Sequence, residues 1–142
     1  MSQFTRFLKK NKAVKENTLF AATDSLTDEN GKPLQWEIKP LTTKENEEIR
    51  ESCTITVPDE SKPGAYKEKL DFNKYKVKVL CASVVEPCLN ADELLQSYGV
   101  YDPEDLLLEM IDNPGEFNKF SEFVFNFNGF GNQKVKVEEV KN

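Results

Sequence analysis

Histidine is absent from the 142 residues. With it go the commonest general base near neutral pH and the commonest metal ligand. Cysteine is scarce too: Cys53, Cys81 and Cys88 form no CxxC pair, and one thiol is left over under any disulfide pairing. Free, mostly buried thiols in a reducing cytoplasm are the simplest reading. No apolar run approaches the roughly 20 residues that cross a bilayer. The opening MSQFTRFLKKNKAVKEN has no apolar core of the kind a signal peptide carries. Positive charge is not in surplus either: 19 Lys and Arg stand against 25 Asp and Glu, a net charge of −6. That balance argues against a partner bound through a phosphate backbone and against an anionic membrane surface. Neither a nucleic acid nor a membrane is expected as partner.

What the chain does have is bulk to bury. Its 10 Phe and single Trp sit in a sequence that is 38% hydrophobic and 31% charged, the balance of a soluble globular domain. The expected fold is α+β and mainly helical: an N-terminal β-hairpin followed by several short helices in one compact domain. Residues 1–14 read as an N-terminal arm, 15–131 as a single globular domain and 132–142 as a loose tail. Within the domain, a hairpin is expected over 15–40 and helices over 42–128.

The hairpin rests on β-permissive residues about Thr18–Ala22, on the alternation Leu34, Trp36, Ile38, and on Asn30-Gly31 between them. Helix starts are written as caps. Thr42 precedes Glu45 by the spacing of a capping box, Asp71 can cap the next helix, and Asn90 with Glu93 the one after. Asp102-Pro103 and Asn113-Pro114 place a capping side chain before a proline at the first helical position. Gly99 can close a helix in the left-handed conformation. The helix from Asp71 is expected to run to about Glu86, since Pro87 disfavours α geometry before it. Residues 57–69, with two prolines, a glycine and many charges, read as a flexible loop.

Candidate chemistry is thin. Paired carboxylates arise by chance among so many acids and belong to solvated helix faces. DSLTDENG crowds oxygen ligands near a turn but lacks the EF-hand spacing and its closing Glu. Gly129-Phe130-Gly131 is followed by no Lys-Ser/Thr, so it is not a phosphate loop. Cys81 and Cys88 have no histidine to activate them, and inert packing is the simpler account. No catalytic residue, metal or cofactor is expected.

The remaining signal is aromatic. Phe117, Phe120, Val124 and Phe127 form one stripe of the last helix, whereas Phe123 and Phe125 point away from it, which makes the helix aromatic nearly all round. Such a helix must be covered by the rest of the domain or by a partner. Phe123, Phe125 and Phe130 are therefore the candidate partner-binding residues.

Several blocks of the sequence, in order, carry a family resemblance. They are Gly31-Lys32-Pro33 leading into Trp36-Glu37-Ile38-Lys39-Pro40-Leu41-Thr42, then Glu45-Asn46-Glu47, then Ala82-Ser83-Val84-Val85-Glu86-Pro87. Glu93-Leu94-Leu95-Gln96-Ser97-Tyr98-Gly99-Val100 and Met110-Ile111-Asp112-Asn113-Pro114-Gly115-Glu116-Phe117 complete the set. The sequence resembles the XkdN-like tail assembly chaperones of phages and prophages of Gram-positive bacteria, over roughly residues 4–130. A departure is Cys88-Leu89, where a more polar residue would be expected at 88.

The resemblance implies an assembly factor that binds the tape measure protein, keeps it soluble and helps recruit tail tube protein. Such a factor acts in the host cytoplasm and is absent from the finished virion. Self-association is among the contacts it allows, and the family carries no motif for chemistry. The competing reading is a structural virion protein, such as a tail completion or connector component.

Overall fold

The computed structural model describes residues 3–130; the tail read over 132–142 lies outside them. Its elements follow in chain order. A one-turn helix α1 (Gln3–Arg6) and a 3-10 turn (Lys9–Asn11) precede strands β1 (Thr18–Phe20) and β2 (Trp36–Ile38). Helix α2 (Thr43–Ser52), strands β3 (Thr54–Pro58) and β4 (Tyr66–Leu70), helix α3 (Phe72–Ser83) and strand β5 (Val84–Glu86) come next. Helices α4 (Asp92–Tyr98), α5 (Pro103–Met110) and α6 (Pro114–Phe127) complete the fold.

β1 and β2 pair antiparallel with Phe20 opposite Trp36, and β2 pairs antiparallel with β5 on its other edge. The loop of the first hairpin is long and contains a smaller turn of its own. The Asp28 carbonyl accepts from the Gly31 amide, Gly31 sits at φ 81°, and a Thr27–Pro33 bridge closes the turn. Positive φ is cheap for glycine, which is why Asn-Gly marks this reversal.

The caps act as the local chemistry dictates. The Thr42 hydroxyl accepts from the Glu45 amide while the Glu45 carboxylate accepts from the Thr42 amide, a complete capping box. Asp71, Asp102 and Asn113 each accept from the backbone amide three residues on. Gly99 ends α4 in the left-handed region at φ 69°. At α4 the expected cap moves by one residue: Ala91 occupies that position without a side-chain hydrogen bond, and Asn90 is exposed.

Two expectations are overturned. The segment 57–69 is not a loop throughout. β3 and β4 form a five-pair antiparallel ladder from Thr54–Leu70 to Pro58–Tyr66, and only Asp59–Ala65 turns between them. Pro58 and the alternating charges are compatible with a strand here because both faces are largely exposed and the proline ends the ladder. Helix α3 also stops at Ser83 rather than near Glu86, because Val84–Glu86 leaves helical geometry to pair with β2. The Lys39 amide donates to the Ser83 carbonyl at 2.8 Å and fixes that switch.

One hydrophobic cluster joins the sheet to the helices. Trp36 and Ile38 of β2 meet Tyr75, Val79 and Leu80 of α3, Leu106 and Leu107 of α5, and Phe120, Val124 and Phe125 of α6. The Trp36 ring stands edge-on to Phe120 at 5.8 Å, a favourable aromatic geometry.

Candidate functional site

Helix α6 is where the sequence places its excess of aromatic side chains, and the structure distributes them unequally. Its polar face consists of Asn118, Lys119, Glu122 and Asn126, all exposed. The rest of the circumference is covered from two sides. Toward the sheet, Phe120 and Phe123 meet Phe20, with the Phe20 and Phe123 rings stacked at 4.2 Å and 20°. Toward α3, Phe125 leans on Tyr75 at 6.3 Å and on Phe130 at 5.5 Å.

Phe125 is therefore core, at 5% exposure. The expectation that it points away from the buried face is corrected: the buried arc is centred on Phe120, Ser121, Val124 and Phe125. Phe117 and Phe127, expected at the centre of the stripe, lie half-buried at its margins. Phe123 and Phe130 are half-buried and packed against the core. The Lys15 ammonium lies 4.2 Å from the Phe127 ring centre and donates to the Phe127 carbonyl, which ties the root of the N-terminal arm to this end of α6.

A second feature has no counterpart in the sequence reading. An open groove of about 460 Å³ runs between α2, α3, β5 and the start of α5. Ile49, Ala82, Val84, Val85 and Leu89 give it an apolar floor. Glu45, Glu48 and Glu104 stand along it with a single lysine, Lys78. Glu45 is held below the ordinary carboxylate range, first by the Thr42 amide and then by the Lys39 ammonium, 3.1 Å away. The β-branched pair Val84-Val85 was the sequence signal for this floor, hidden because the pair read as the end of a helix.

Two cysteines border the groove. Burial pushes the Cys81 thiol up to about 12, with Glu104 and Asp102 adding to the shift. At neutral pH it is a protonated, unreactive side chain. Of the two thiols expected to pack inertly, Cys81 is half-buried and Cys88 is exposed, so Cys88 departs from that expectation; Cys53 is buried. Among the described residues, no group of three or more His, Cys, Asp or Glu is placed to hold a metal ion. No described helix is long and apolar enough to cross a membrane.

The family of phage XkdN-like tail assembly chaperone proteins matches residues 4–141. The chain belongs to this family. The match extends past the blocks that carry the resemblance and takes in every element of the fold except the first residue of α1. Among solved structures, the chain is similar to the crystal structure of the protein yqbn. The two share 18% identity with a TM-score of 0.74, over 92% of this chain and 98% of that one. At that identity the likeness speaks for the fold, which is α+β in both. No curated protein matches.

Proposed function

We propose that this tail assembly chaperone binds the tape measure protein, keeps it soluble and helps recruit tail tube protein while the tail is built. It acts in the cytoplasm of the bacterial host by binding alone, without catalysis, metal or cofactor, and does not remain in the virion. The observation that carries this reading is the family match over residues 4–141. The physics of the surface supports it. A long helical client with an unpartnered apolar stripe is covered reversibly by half-exposed aromatic edges and shallow apolar grooves. Modest contacts repeated along such a client hold it while leaving tube protein able to displace them.

The contact surface in this proposal is the C-terminal third, Asn90–Phe130. Phe123 and Phe130 keep part of their rings at the surface, with Phe20 stacked on Phe123 and Phe125 packed against Phe130. Affinity purification of the full chain from cells making phage tails, with bound proteins identified by mass spectrometry, tests the reading. The tape measure protein is expected as the main partner, and the chaperone is expected to be missing from purified particles. Its stoichiometric presence in particles would replace this reading with that of a structural virion protein.

A further inference from the structure

The N-terminal arm is chemically unlike the rest of the chain. Residues 1–15 hold five of the 19 basic residues and no acid. The remainder therefore sets 14 basic residues against 25 acidic ones. The arm also exposes apolar side chains, with Phe4 at 76% and Phe7 at 85%. It is folded all the same: the Phe7 and Leu8 amides bond back to Phe4 and Thr5, and the Lys12 amide bonds to Lys9. Two consecutive turns thus hold phenylalanines out beside Arg6, Lys9, Lys10 and Lys12. Exposed aromatic rings with no polar function of their own are costly unless something covers them.

The groove between α2, α3, β5 and α5 has the complementary character. Its floor is apolar, and Glu48 and Glu104 face it, with Glu45 partly engaged by Lys39 and with Lys78 as the one opposing charge. Other acidic surfaces of the chain attract the arm electrostatically. Among the features described, the groove combines negative charge with an apolar floor that can receive rings.

We propose that the Phe4/Phe7 arm of one copy docks in the Glu48/Glu104 groove of a second copy. The occupant is a second copy rather than the same chain. In the single chain the root of the arm is fastened at Phe127 by Lys15, and the two phenylalanines stand in solvent instead of in their own groove. Arm and groove are different surfaces, so the contact is head-to-tail. It leaves a free arm at one end of any oligomer and a free groove at the other unless the set closes into a ring. This goes beyond tape measure binding and does not depend on it.

Sedimentation velocity of the full chain over a wide concentration range tests the proposal. Wild-type protein is expected to associate reversibly, less so at high salt, where charge attraction is screened. Phe4→Ala with Phe7→Ala should weaken association by about tenfold or more, the scale of losing aromatic anchors. Glu48→Lys with Glu104→Lys should do the same. Melting curves are expected to stay close to wild type, because all four side chains lie at the surface or half-buried. Mixing the two double variants is the decisive measurement. One retains an intact groove and the other an intact arm, so together they should form a 1:1 dimer that neither forms alone. A wild-type chain that stays monomeric at every concentration overturns the proposal, as it would if the arm closed on its own groove. So does an arm variant that associates as well as wild type, or a mixture that gives no dimer.

Discussion

The Glu116 carboxylate, in the first turn of α6, accepts the Thr23 hydroxyl at 2.7 Å and the Asp24 amide at 2.8 Å, reaching 93 residues back along the chain. Asn113 starts the helix by accepting from the Glu116 amide. One residue therefore belongs at once to the cap of the last helix and to the turn that leaves the first strand.

That double duty gives a pH dependence with a definite sign. The Thr23 hydroxyl, followed by the Asp24 amide, holds the Glu116 carboxyl below the ordinary range. A carboxyl depressed on folding contributes stability above its unfolded value, roughly 4.3, and that stability is lost as pH falls through the folded value. Glu45 acts in the same direction. Glu116→Gln is expected to leave a shallower fall in melting temperature between pH 5 and 3 than wild type. Superimposable acid limbs would show that the contact contributes nothing to the linkage.

Phe120→Ala and Phe125→Ala should both destabilise the fold, each by roughly 3–5 kcal/mol, as buried phenylalanines do. Phe130→Ala should cost less, because its ring is only half-buried. Urea unfolding of the three variants gives the order. If Phe125→Ala proved harmless to stability, its 5% exposure would not describe the protein in solution.

The three cysteines should separate cleanly under alkylation. Cys88 is exposed, Cys81 is half-buried with its thiol pushed up to about 12, and Cys53 is fully buried. At pH 8 a maleimide is expected to label one site in the native protein, at Cys88, and all three in denaturant. Peptide mapping that found Cys81 modified first would contradict the assigned cause of its inertness.

Ser83 is fully buried, and among the described residues its hydroxyl has no hydrogen-bond partner. A buried hydroxyl without a partner costs on the order of 1–3 kcal/mol in lost hydration. Ser83→Ala is therefore expected to be neutral or to raise stability by about 1 kcal/mol. A clear loss of stability would mean that the hydroxyl is satisfied in solution.

Much of this architecture was legible because a helix start is local chemistry. Thr42 with Glu45, Asp71, Asp102 with Pro103, and Asn113 with Pro114 each bond within three residues of themselves, and no distant partner decides the outcome. β5 was illegible for the opposite reason. Whether Val84 continues a helix or turns into a strand depends on the Lys39 amide and on β2, some 45 residues earlier in the chain. The β3–β4 hairpin was missed because neither strand hides one face from water, so the chain carries no strict alternation there. The candidate residues failed to sort by periodicity alone. In a helix that is aromatic at 117, 120, 123, 125 and 127, spacing cannot say which arc faces α3, and periodicity alone puts Phe125 on the wrong side.

The stack of Phe20 on Phe123 has a consequence in time as well as in space. The first strand and the last helix cover each other, so a nascent chain has made its sheet long before it makes the element that seals it. Until α6 has left the ribosome, Phe20 and Trp36 lack Phe120 and Phe123 as neighbours. Contacts so distant in sequence close late and slow folding. A released fragment ending at Asp112 should bind an environment-sensitive dye, and one that runs through Phe130 should not. A member of a tail assembly chaperone family thus passes, during its own synthesis, through a stage in which its own surface is unfinished.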